Sequence, residues 1–440
     1  MGVEALTGIL FLGLFGLIFL GVPLAFALGS VALVLGYFQW GPLSLHLISS
    51  QVKGAIFNYT LVSIPFFMFM ANILSKSGIA DDLYEAIHKL MGPLRGGLAM
   101  GTVLACALIA AMSGVSAVGV MAMGTIALPA MLARQYDKHM ALGTVLAGGA
   151  LGQLIPPSIL AIVYSGLANI SIGQVFLAGV MPGLLLVGLF VAYVGIRCYL
   201  NPGAGPALSA EERAAIGWRE RIGSLAGVLP PILLVLSVLG TMFAGIASPT
   251  EAAAVGALGS VVLALLHRRL DRETLLDACY QTLKSTTMVL WIALASLLFV
   301  SVYAGIGGDD LVRGLLLDLE LPGGAVVLIM MVVIFLLGTI MDPIGIVFLT
   351  TPIFVPIVEA MGFSSLWYGA LLIINLEMAY LTPPFGYNLF YLRAVAPPGI
   401  TMGDLYRSVP PFILLQMLGL SAAALFPEIV TWLPELAFGN

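Results

Sequence analysis

The chain has 440 residues, of which 60% are hydrophobic and only 9% are charged, and its mean hydropathy is +1.10. Water-soluble domains carry about a quarter charged residues, so this composition excludes a water-soluble fold. The formal net charge is −5, and we expect no nucleic-acid partner. The sequence therefore predicts an all-α polytopic membrane protein.

Apolar runs recur along the whole length, and several approach the roughly 20 residues that a helix needs to cross a bilayer. The first repeat is predicted to occupy residues 1–200. In chain order it contains scaffold helices within 5–76, an amphipathic arm at 80–91, a hairpin at 97–132, a broken helix at 138–170 and a helix at 173–199. A polar linker at 201–221 follows, and we expect it in the cytoplasm.

The second repeat is predicted to occupy residues 222–440. It contains scaffold helices within 222–304, an arm at 308–320, a hairpin at 323–361, a broken helix at 366–396 and a helix at 404–427. Three short motifs support the repeat, because each recurs 227 positions later: Gly78-Ile79 as Gly305-Ile306, Pro129 as Pro356, and Pro156-Pro157 as Pro383-Pro384.

The segments on either side of Ser113 are short and rich in small residues, which favours a re-entrant hairpin whose tip is buried in protein. Two ordinary spans joined by a tight turn are the alternative. With re-entrant hairpins each half crosses the membrane five times, and with two spans it crosses seven times. Both numbers are odd, so the two halves have inverted topology in either case.

The Lys and Arg residues give the orientation. In this topology 15 of them fall on one side of the membrane, and only Lys53 and Arg313 fall on the other. Cytoplasmic loops carry the excess of Lys and Arg, so the linker is predicted to be cytoplasmic and both termini periplasmic. We expect a multi-pass protein of the bacterial or archaeal inner membrane, surrounded by lipid.

The two Pro-Pro pairs lie in the middle of the two broken helices. Each pair removes two backbone donors and forces the preceding residue out of helical geometry, so nearby carbonyl oxygens lose their partners. A dehydrated Na⁺ ion is one partner for such oxygens, with the hydroxyls of Ser158 or Thr382 completing the shell. A proline kink satisfied by neighbouring helices or water is the alternative for one isolated motif. Its recurrence at matched positions favours ion binding.

Each break is expected to face a hairpin tip. The first tip offers Ser113, Gly114 and Ser116, which are small enough for backbone to approach an ion. The second tip runs from Gly338 to Pro343 and includes Asp342. That acid is either functional or the cap of the helix that Pro343 begins. Glu377, deeper in the apolar run, is either a cation ligand or a hydrogen-bonded brace.

Several motifs together resemble the large membrane subunit of tripartite ATP-independent periplasmic (TRAP) transporters. They are the Leu154-Ile-Pro-Pro-Ser158 and Leu381-Thr-Pro-Pro-Phe-Gly-Tyr-Asn388 breaks, Ile64-Pro-Phe-Phe67, Ser77-Gly-Ile79, and Phe176-Leu-Ala-Gly-Val-Met-Pro-Gly183. The resemblance covers nearly the whole chain. It implies an elevator-type secondary transporter that imports a small organic anion with Na⁺, together with a separate four-helix small membrane subunit and a periplasmic substrate-binding protein.

The resemblance also implies a set of sodium positions. They are Ser113, Ser116, Pro156 and Ser158 in the first half, and Gly338, Asp342, Thr382 and Pro383 in the second. Candidate substrate contacts around the tips and breaks are Ser116, Ser158, Pro343 and Asn388. The first tip reads Ser-Gly-Val-Ser where many members have a denser Ser/Thr cluster, and Pro343 follows the acid in the second.

Two other functions compete with this one. A divalent-anion symporter would share the hairpins, repeats and sodium sites but would work without a binding protein. A membrane-embedded enzyme is disfavoured because the chain has no His-Glu-x-x-His motif and no paired catalytic acids one helical turn apart. No phosphate-binding Gly-x-x-x-x-Gly-Lys-[Ser/Thr] loop occurs, so we expect the ion gradient rather than ATP to drive uptake.

Overall fold

The computed structural model describes residues 2–208, 211, 217–317 and 321–439, and no strand occurs among them. Ten α-helices make up the first half. They are α1 (Val3–Phe19), α2 (Leu24–Trp40), α3 (Ser44–Ile56), α4 (Tyr59–Lys76), α5 (Ile79–Met91), α6 (Gly97–Ser113), α7 (Ser116–Ala133), α8 (Lys138–Ala150), α9 (Ile159–Ala168) and α10 (Ile172–Leu200). Residues 209–210 and 212–216 of the predicted linker, and residues 318–320 of the second arm, lie outside the described residues.

Eleven described α-helices follow the linker. They are α11 (Trp218–Phe243), α12 (Pro249–Leu266), α13 (Arg272–Gly305), α14 (Gly308–Leu317), α15 (Gly323–Gly338), α16 (Pro343–Ala360), α17 (Ser365–Ala379), α18 (Tyr387–Val395), α19 (Met402–Ser408), α20 (Pro410–Leu425) and α21 (Glu428–Phe438). Eight helical segments in the described part of the chain are long and apolar enough to cross a bilayer. The predicted all-α membrane fold is confirmed.

The two halves repeat in structure as well as in sequence. Helix α8 begins after Asp137, whose carboxylate accepts from the Met140 amide at 2.8 Å, and α17 begins after Ser364, whose hydroxyl accepts from the Trp367 amide at 3.4 Å. The two capping residues are 227 positions apart, as the repeat requires. Side-chain caps of this kind satisfy backbone donors that have no partner within the helix.

The structure differs from the predicted elements in three places. The sequence predicts no helix at 44–56, but α3 lies there and is amphipathic rather than uniformly apolar. It also predicts no helix at 428–438, where α21 packs on α10. The predicted helix at 404–427 is bent by 40° between α19 and α20. Pro410 and Pro411 stand at this bend, and their rings remove two amide donors from the turn.

The hairpins and broken helices interlock across the two halves. In the first half α6 packs on α8, and in the second half α15 packs on α17. The second helix of each hairpin also contacts the broken helix of the other half: α7 packs on α18, and α16 packs on α9. Each broken helix is therefore held by both hairpins, which places the two breaks inside one packed unit.

The scaffold helices pair across the halves in the same way. Helix α2 packs on α13, α12 packs on α4, and α4 packs on α13, where the Asn72 amide donates to the Thr282 hydroxyl at 3.0 Å. Outside the membrane-spanning segments, Lys89 of the first arm pairs with Glu85 at 2.6 Å and with Glu220 of α11 at 3.2 Å. The hydrogen bond that Lys89 donates to Glu85, followed by the one that it donates to Glu220, raises the pKa of Lys89. The arm is thereby tied to the scaffold.

Candidate sodium and substrate site

The first break is a short non-helical connection buried inside the protein. Helix α8 ends at Ala150 after 13 residues, which is well short of a full span. A single 3₁₀ turn and a cis Pro156-Pro157 peptide follow before α9 begins. Ser158 caps α9 by accepting from the Ala161 amide at 3.3 Å, and its hydroxyl donates to the Gln153 carbonyl. The Ser158 hydroxyl and the Gln153 carbonyl oxygen are thus in direct contact within this loop.

The backbone of the first hairpin tip lies in close contact with this break. Gly114 has a φ of +63°, and a methyl group there would lie 2.0 Å from the Pro157 carbonyl oxygen and 3.4 Å from the Ser158 Cα. On the other side of the tip, a methyl group at Gly152 would lie 3.0 Å from the Ser116 amide nitrogen. The structure thus brings Gly114 and Ser116 of the tip against Pro157, Ser158 and Gly152 of the first break, whereas the Ser113 hydroxyl contacts Val115 within the tip.

The second break is more open than the first. Thr382 donates to the Met378 carbonyl at 3.0 Å, and a cis Pro383-Pro384 peptide leads to Gly386, which has a φ of +43° and precedes α18. Pro156 and Pro157 are buried in the first break, whereas Pro383, Pro384 and Phe385 are exposed. Both breaks contain a cis Pro-Pro peptide, but the prolines are buried in the first break and exposed in the second.

The second hairpin tip contacts the helix that leads into this break. A methyl group at Gly338 would lie 2.5 Å from the Ala379 side chain, so only glycine lets the tip approach α17 so closely. Asp342 caps α16 by accepting from the Ile344 amide at 2.9 Å, with Pro343 at the first helical position. Asp342 is therefore the N-terminal cap of α16. The residue as a whole is nevertheless only partly buried, and it lines a cavity.

Ser116 and Asn388 connect the two halves at the centre of the unit. The Ser116 hydroxyl donates to the Asn388 side-chain oxygen at 2.6 Å, and the Asn388 amide donates to the Leu146 carbonyl of α8 at 3.3 Å. Both side chains are buried. The first hairpin tip, the first broken helix and the second broken helix are thus linked through one asparagine.

A cavity of about 640 Å³ separates the second tip and second break from the scaffold. The turn between α1 and α2 and one face of α13 form its scaffold wall, and Ile340, Met341, Asp342, Phe385 and Tyr387 form the opposite wall. Asp342 is one of its lining residues, whereas Ser116, Ser158, Pro343 and Asn388 are not.

The oxygen atoms of both break regions come from hydroxyls, carbonyls and one carboxylate. Such oxygen donors suit a hard cation and give no soft ligand for a transition metal. Within the described residues, no group of three His, Cys, Asp or Glu side chains converges on a common point. The residues present thus fit the alkali-metal site that the sequence predicts.

Comparison with known proteins decides the family. The model of the tripartite ATP-independent periplasmic transporter, DctM component, matches residues 11–429. The chain belongs to this family of TRAP large permeases. It is 34% identical to the C4-dicarboxylate TRAP transporter large permease protein DctM of Pseudomonas aeruginosa, over 86% of this chain and 87% of the relative. The corresponding protein of Vibrio cholerae is 30% identical over 98% of both chains.

The fold of this TRAP large permease is also similar to that of a solved transporter. The Alcanivorax borkumensis YdaH transporter superposes with a TM-score of 0.64, covering 90% of this chain and 89% of the other. The two sequences are only 15% identical, so this likeness concerns the fold alone. The family match and the eight apolar helical segments among the described residues make the chain a multi-pass membrane protein of a transporter family.

Glu377 of the permease contacts another buried polar side chain. Its Oε1 accepts from the Gln416 amide of α20 at 3.1 Å, while Glu377 Oε2 and Gln416 Oε1 are buried without a hydrogen-bond partner. Both residues have no exposed surface. This geometry supports the brace between helices. The contact joins the helix leading into the second break to α20.

A Glu377→Gln variant is expected to keep Na⁺-activated uptake and to be at least as stable as the wild type. The new amide retains the oxygen that accepts from Gln416 and adds a donor for the partnerless Gln416 oxygen. Glu377→Leu, which leaves the Gln416 amide without a partner, should lower the free energy of unfolding by about 1–3 kcal/mol. Thermal unfolding in detergent and uptake assays measure both. Loss of Na⁺ activation in Glu377→Gln with intact stability would instead make Glu377 a cation ligand.

Sequence reasoning missed two features of the site in this TRAP large permease. It did not pair Ser116 with Asn388, because the two positions are 272 residues apart and belong to non-equivalent parts of the repeat. It also missed the cavity wall, to which Phe26 and Trp291 contribute from the scaffold. The sequence feature that could have indicated the cavity wall is the concentration of aromatic residues after the second Pro-Pro pair.

Proposed function

We propose that this permease imports a small organic anion by Na⁺-coupled secondary transport. The observation that carries the proposal is that two helix breaks, at matched repeat positions, each lie against the glycine-bearing tip of a hairpin. Freed carbonyls and nearby hydroxyls at membrane depth are the groups from which transporters build sodium sites. The second of these sites adjoins the cavity through Asp342, so bound Na⁺ and bound substrate would be neighbours.

The ion gradient can supply the energy. One charge moving through 100 mV releases about 2.3 kcal/mol, so two Na⁺ ions entering supply roughly 5 kcal/mol before the charge of the substrate is counted. That amount corresponds to an accumulation of more than about a thousandfold, because each tenfold step requires about 1.4 kcal/mol. We propose two or more Na⁺ ions per cycle.

The orientation and the cavity together support an elevator motion. The excess of Lys and Arg places the turn between α1 and α2 at the cytoplasmic face, with both termini in the periplasm. That turn forms part of the cavity wall, which supports an inward-facing arrangement in the proposed orientation. The unit that contains both hairpins and both broken helices would then slide against the scaffold to expose the same site on the periplasmic side.

We infer that two further components complete the transporter. The family description names the matched chain as one component of a tripartite, periplasmic transporter. The remaining partners would be a small four-helix membrane subunit beside the scaffold and a periplasmic protein that delivers the anion. The family match disfavours the divalent-anion symporter, although its hairpins and breaks would look the same. The requirement for a binding protein distinguishes the two.

Uptake into proteoliposomes tests this function. The permease is reconstituted with its small subunit, and substrate is added with or without the binding protein and an inward Na⁺ gradient. We expect uptake only when both are present. Uptake that ignores Na⁺ contradicts sodium coupling, and equal uptake without the binding protein favours the symporter.

Variants of the breaks test where Na⁺ binds. Pro156→Ala allows the first break to regain helical hydrogen bonds, and Thr382→Val removes a hydroxyl while preserving side-chain shape. Each should weaken Na⁺ activation by about tenfold, the equivalent of one lost charge-assisted hydrogen bond, with a smaller effect on folding. Na⁺ titration of uptake measures the effect, and thermal unfolding is the control. Wild-type Na⁺ activation in both variants would refute the placement of the sites.

A further inference from the structure

The cavity beside the second break has an aromatic wall. Phe26 of α2 and Trp291 of α13 face each other on the scaffold side, with ring centroids 6.1 Å apart. Phe385 and Tyr387 project from the second break on the opposite side. Phe26 and Trp291 are each about half exposed, at 54% and 50%, and Phe385 is 46% exposed. These rings therefore present open faces to whatever enters the cavity.

The aromatic residues are concentrated at one break. Tyr380, Phe385, Tyr387, Phe390 and Tyr391 fall within twelve residues, although aromatic residues make up 9% of the chain. The equivalent stretch of the first break, residues 153–164, contains one aromatic residue, Tyr164. The Pro-Pro backbone thus does not require aromatic neighbours. Their presence at the break that adjoins the cavity indicates a role in contacting a ligand.

The charge of the wall also restricts the ligand. Among the described residues that line the cavity there is no Lys, Arg or His, and the charged member is Asp342. A Na⁺ ion held at Asp342 would neutralise this acid, and its remaining coordination positions would take one carboxylate. A second carboxylate on the same molecule would meet apolar and aromatic side chains, where an unpaired charge is strongly disfavoured.

We propose that the substrate class is a monocarboxylate with an aromatic body, such as an aryl or arylalkyl acid. This inference rests on the proposed function, because the carboxylate is anchored by the coupling ion. The ring packs between Phe26 and Trp291 on one side and Phe385 on the other, where offset or edge-to-face contacts between rings are favourable. A volume of about 640 Å³ accommodates such a molecule. The C4-dicarboxylates that appear in the names of two relatives match this wall less well, because their second carboxylate would meet apolar and aromatic side chains.

Direct binding tests the substrate class without the binding protein, whose own selectivity would obscure it. The permease with its small subunit is placed in lipid nanodiscs, and phenylacetate, benzoate and succinate are titrated by calorimetry with and without Na⁺. We expect the tighter aryl acid to bind at least tenfold more strongly than succinate, and only with Na⁺. Equal or tighter binding of succinate, or no binding of either aryl acid, overturns the proposal.

Aromatic variants locate the binding site. Trp291→Ala should weaken aryl-acid binding by about tenfold or more, whereas Trp291→Phe should restore most of it. Phe385→Ala, on the other wall, gives an independent measurement if Trp291→Ala fails to fold. Phe38→Ala is the matched control, because Phe38 is 80% exposed and does not line the cavity. Unchanged binding in both Trp291→Ala and Phe385→Ala overturns the assignment of the cavity.

The outcomes separate the two proposals. Preference for succinate together with Na⁺-dependent uptake would reject the aryl substrate and leave the transport function intact. Uptake that is independent of Na⁺ would reject the transport mechanism itself, whichever acid binds.

Discussion

Replacing Gly114 with alanine is expected to reduce Na⁺-dependent uptake to near background. The added methyl group would lie 2.0 Å from the Pro157 carbonyl oxygen, and that neighbour is backbone rather than a flexible side chain. The tip must therefore move away from the break, which separates the oxygen atoms of the two segments. We expect Na⁺ affinity to fall by about tenfold or more, since losing one or two charge-assisted contacts has this effect.

Gly362→Ala is the matched control for this experiment. Gly362 also has a left-handed backbone, with a φ of +80°, but a methyl group there meets no atom within 4 Å. Alanine in this conformation costs about 1–2 kcal/mol at either position, so the two variants share the backbone strain and differ in the clash. Uptake is measured alongside thermal unfolding. Equal losses of uptake in the two variants would mean that strain, rather than the contact between tip and break, is responsible.

Replacing Asp342 with asparagine is expected to abolish most Na⁺ activation while leaving the fold intact. Asparagine caps a helix about as well as aspartate, so the bond to the Ile344 amide should survive and stability should change by less than about 1 kcal/mol. The variant removes the charge that adjoins the cavity. We expect Na⁺ affinity to fall by about 10–100-fold, the equivalent of roughly 1.5–3 kcal/mol.

Asp342→Ala completes the comparison, because it removes the cap as well as the charge. This variant should lose both Na⁺ activation and stability, with a cost of about 1 kcal/mol for the cap alone. Na⁺-dependent uptake and thermal unfolding are measured for both variants. If Asp342→Asn shows wild-type Na⁺ activation, Asp342 serves the helix and not the ion.

The two breaks differ in burial, so variants of each break are expected to have different effects. In the first break the prolines and the serine are buried beneath a tip that touches backbone directly. In the second, the prolines are exposed and the neighbouring acid adjoins the cavity. Variants of the first break should therefore act through ion affinity and packing, whereas variants of the second should also alter substrate affinity. The hydrogen bond between Ser116 and Asn388 connects the first hairpin tip to the helix that follows the second break.

The sequence by itself determined the membrane fold, the repeat and the positions of the breaks. These features follow from local chemistry: apolar runs define helices in a bilayer, and a Pro-Pro pair interrupts a helix wherever it occurs. The constant offset between the two pairs then related the halves. Gly114 and Gly338 stood out for the same reason, since small residues are needed where two backbones approach each other.

Only the tertiary structure decided which of these local features meet. The bond between Ser116 and Asn388 crosses non-equivalent parts of the two halves, and Glu377 finds Gln416 on a helix outside the repeat motifs. The aromatic wall combines Phe26 and Trp291 from the scaffold with Phe385 from the break. Such contacts depend on how helices far apart in the chain pack together, and sequence periodicity carries no information about the partner that each face meets.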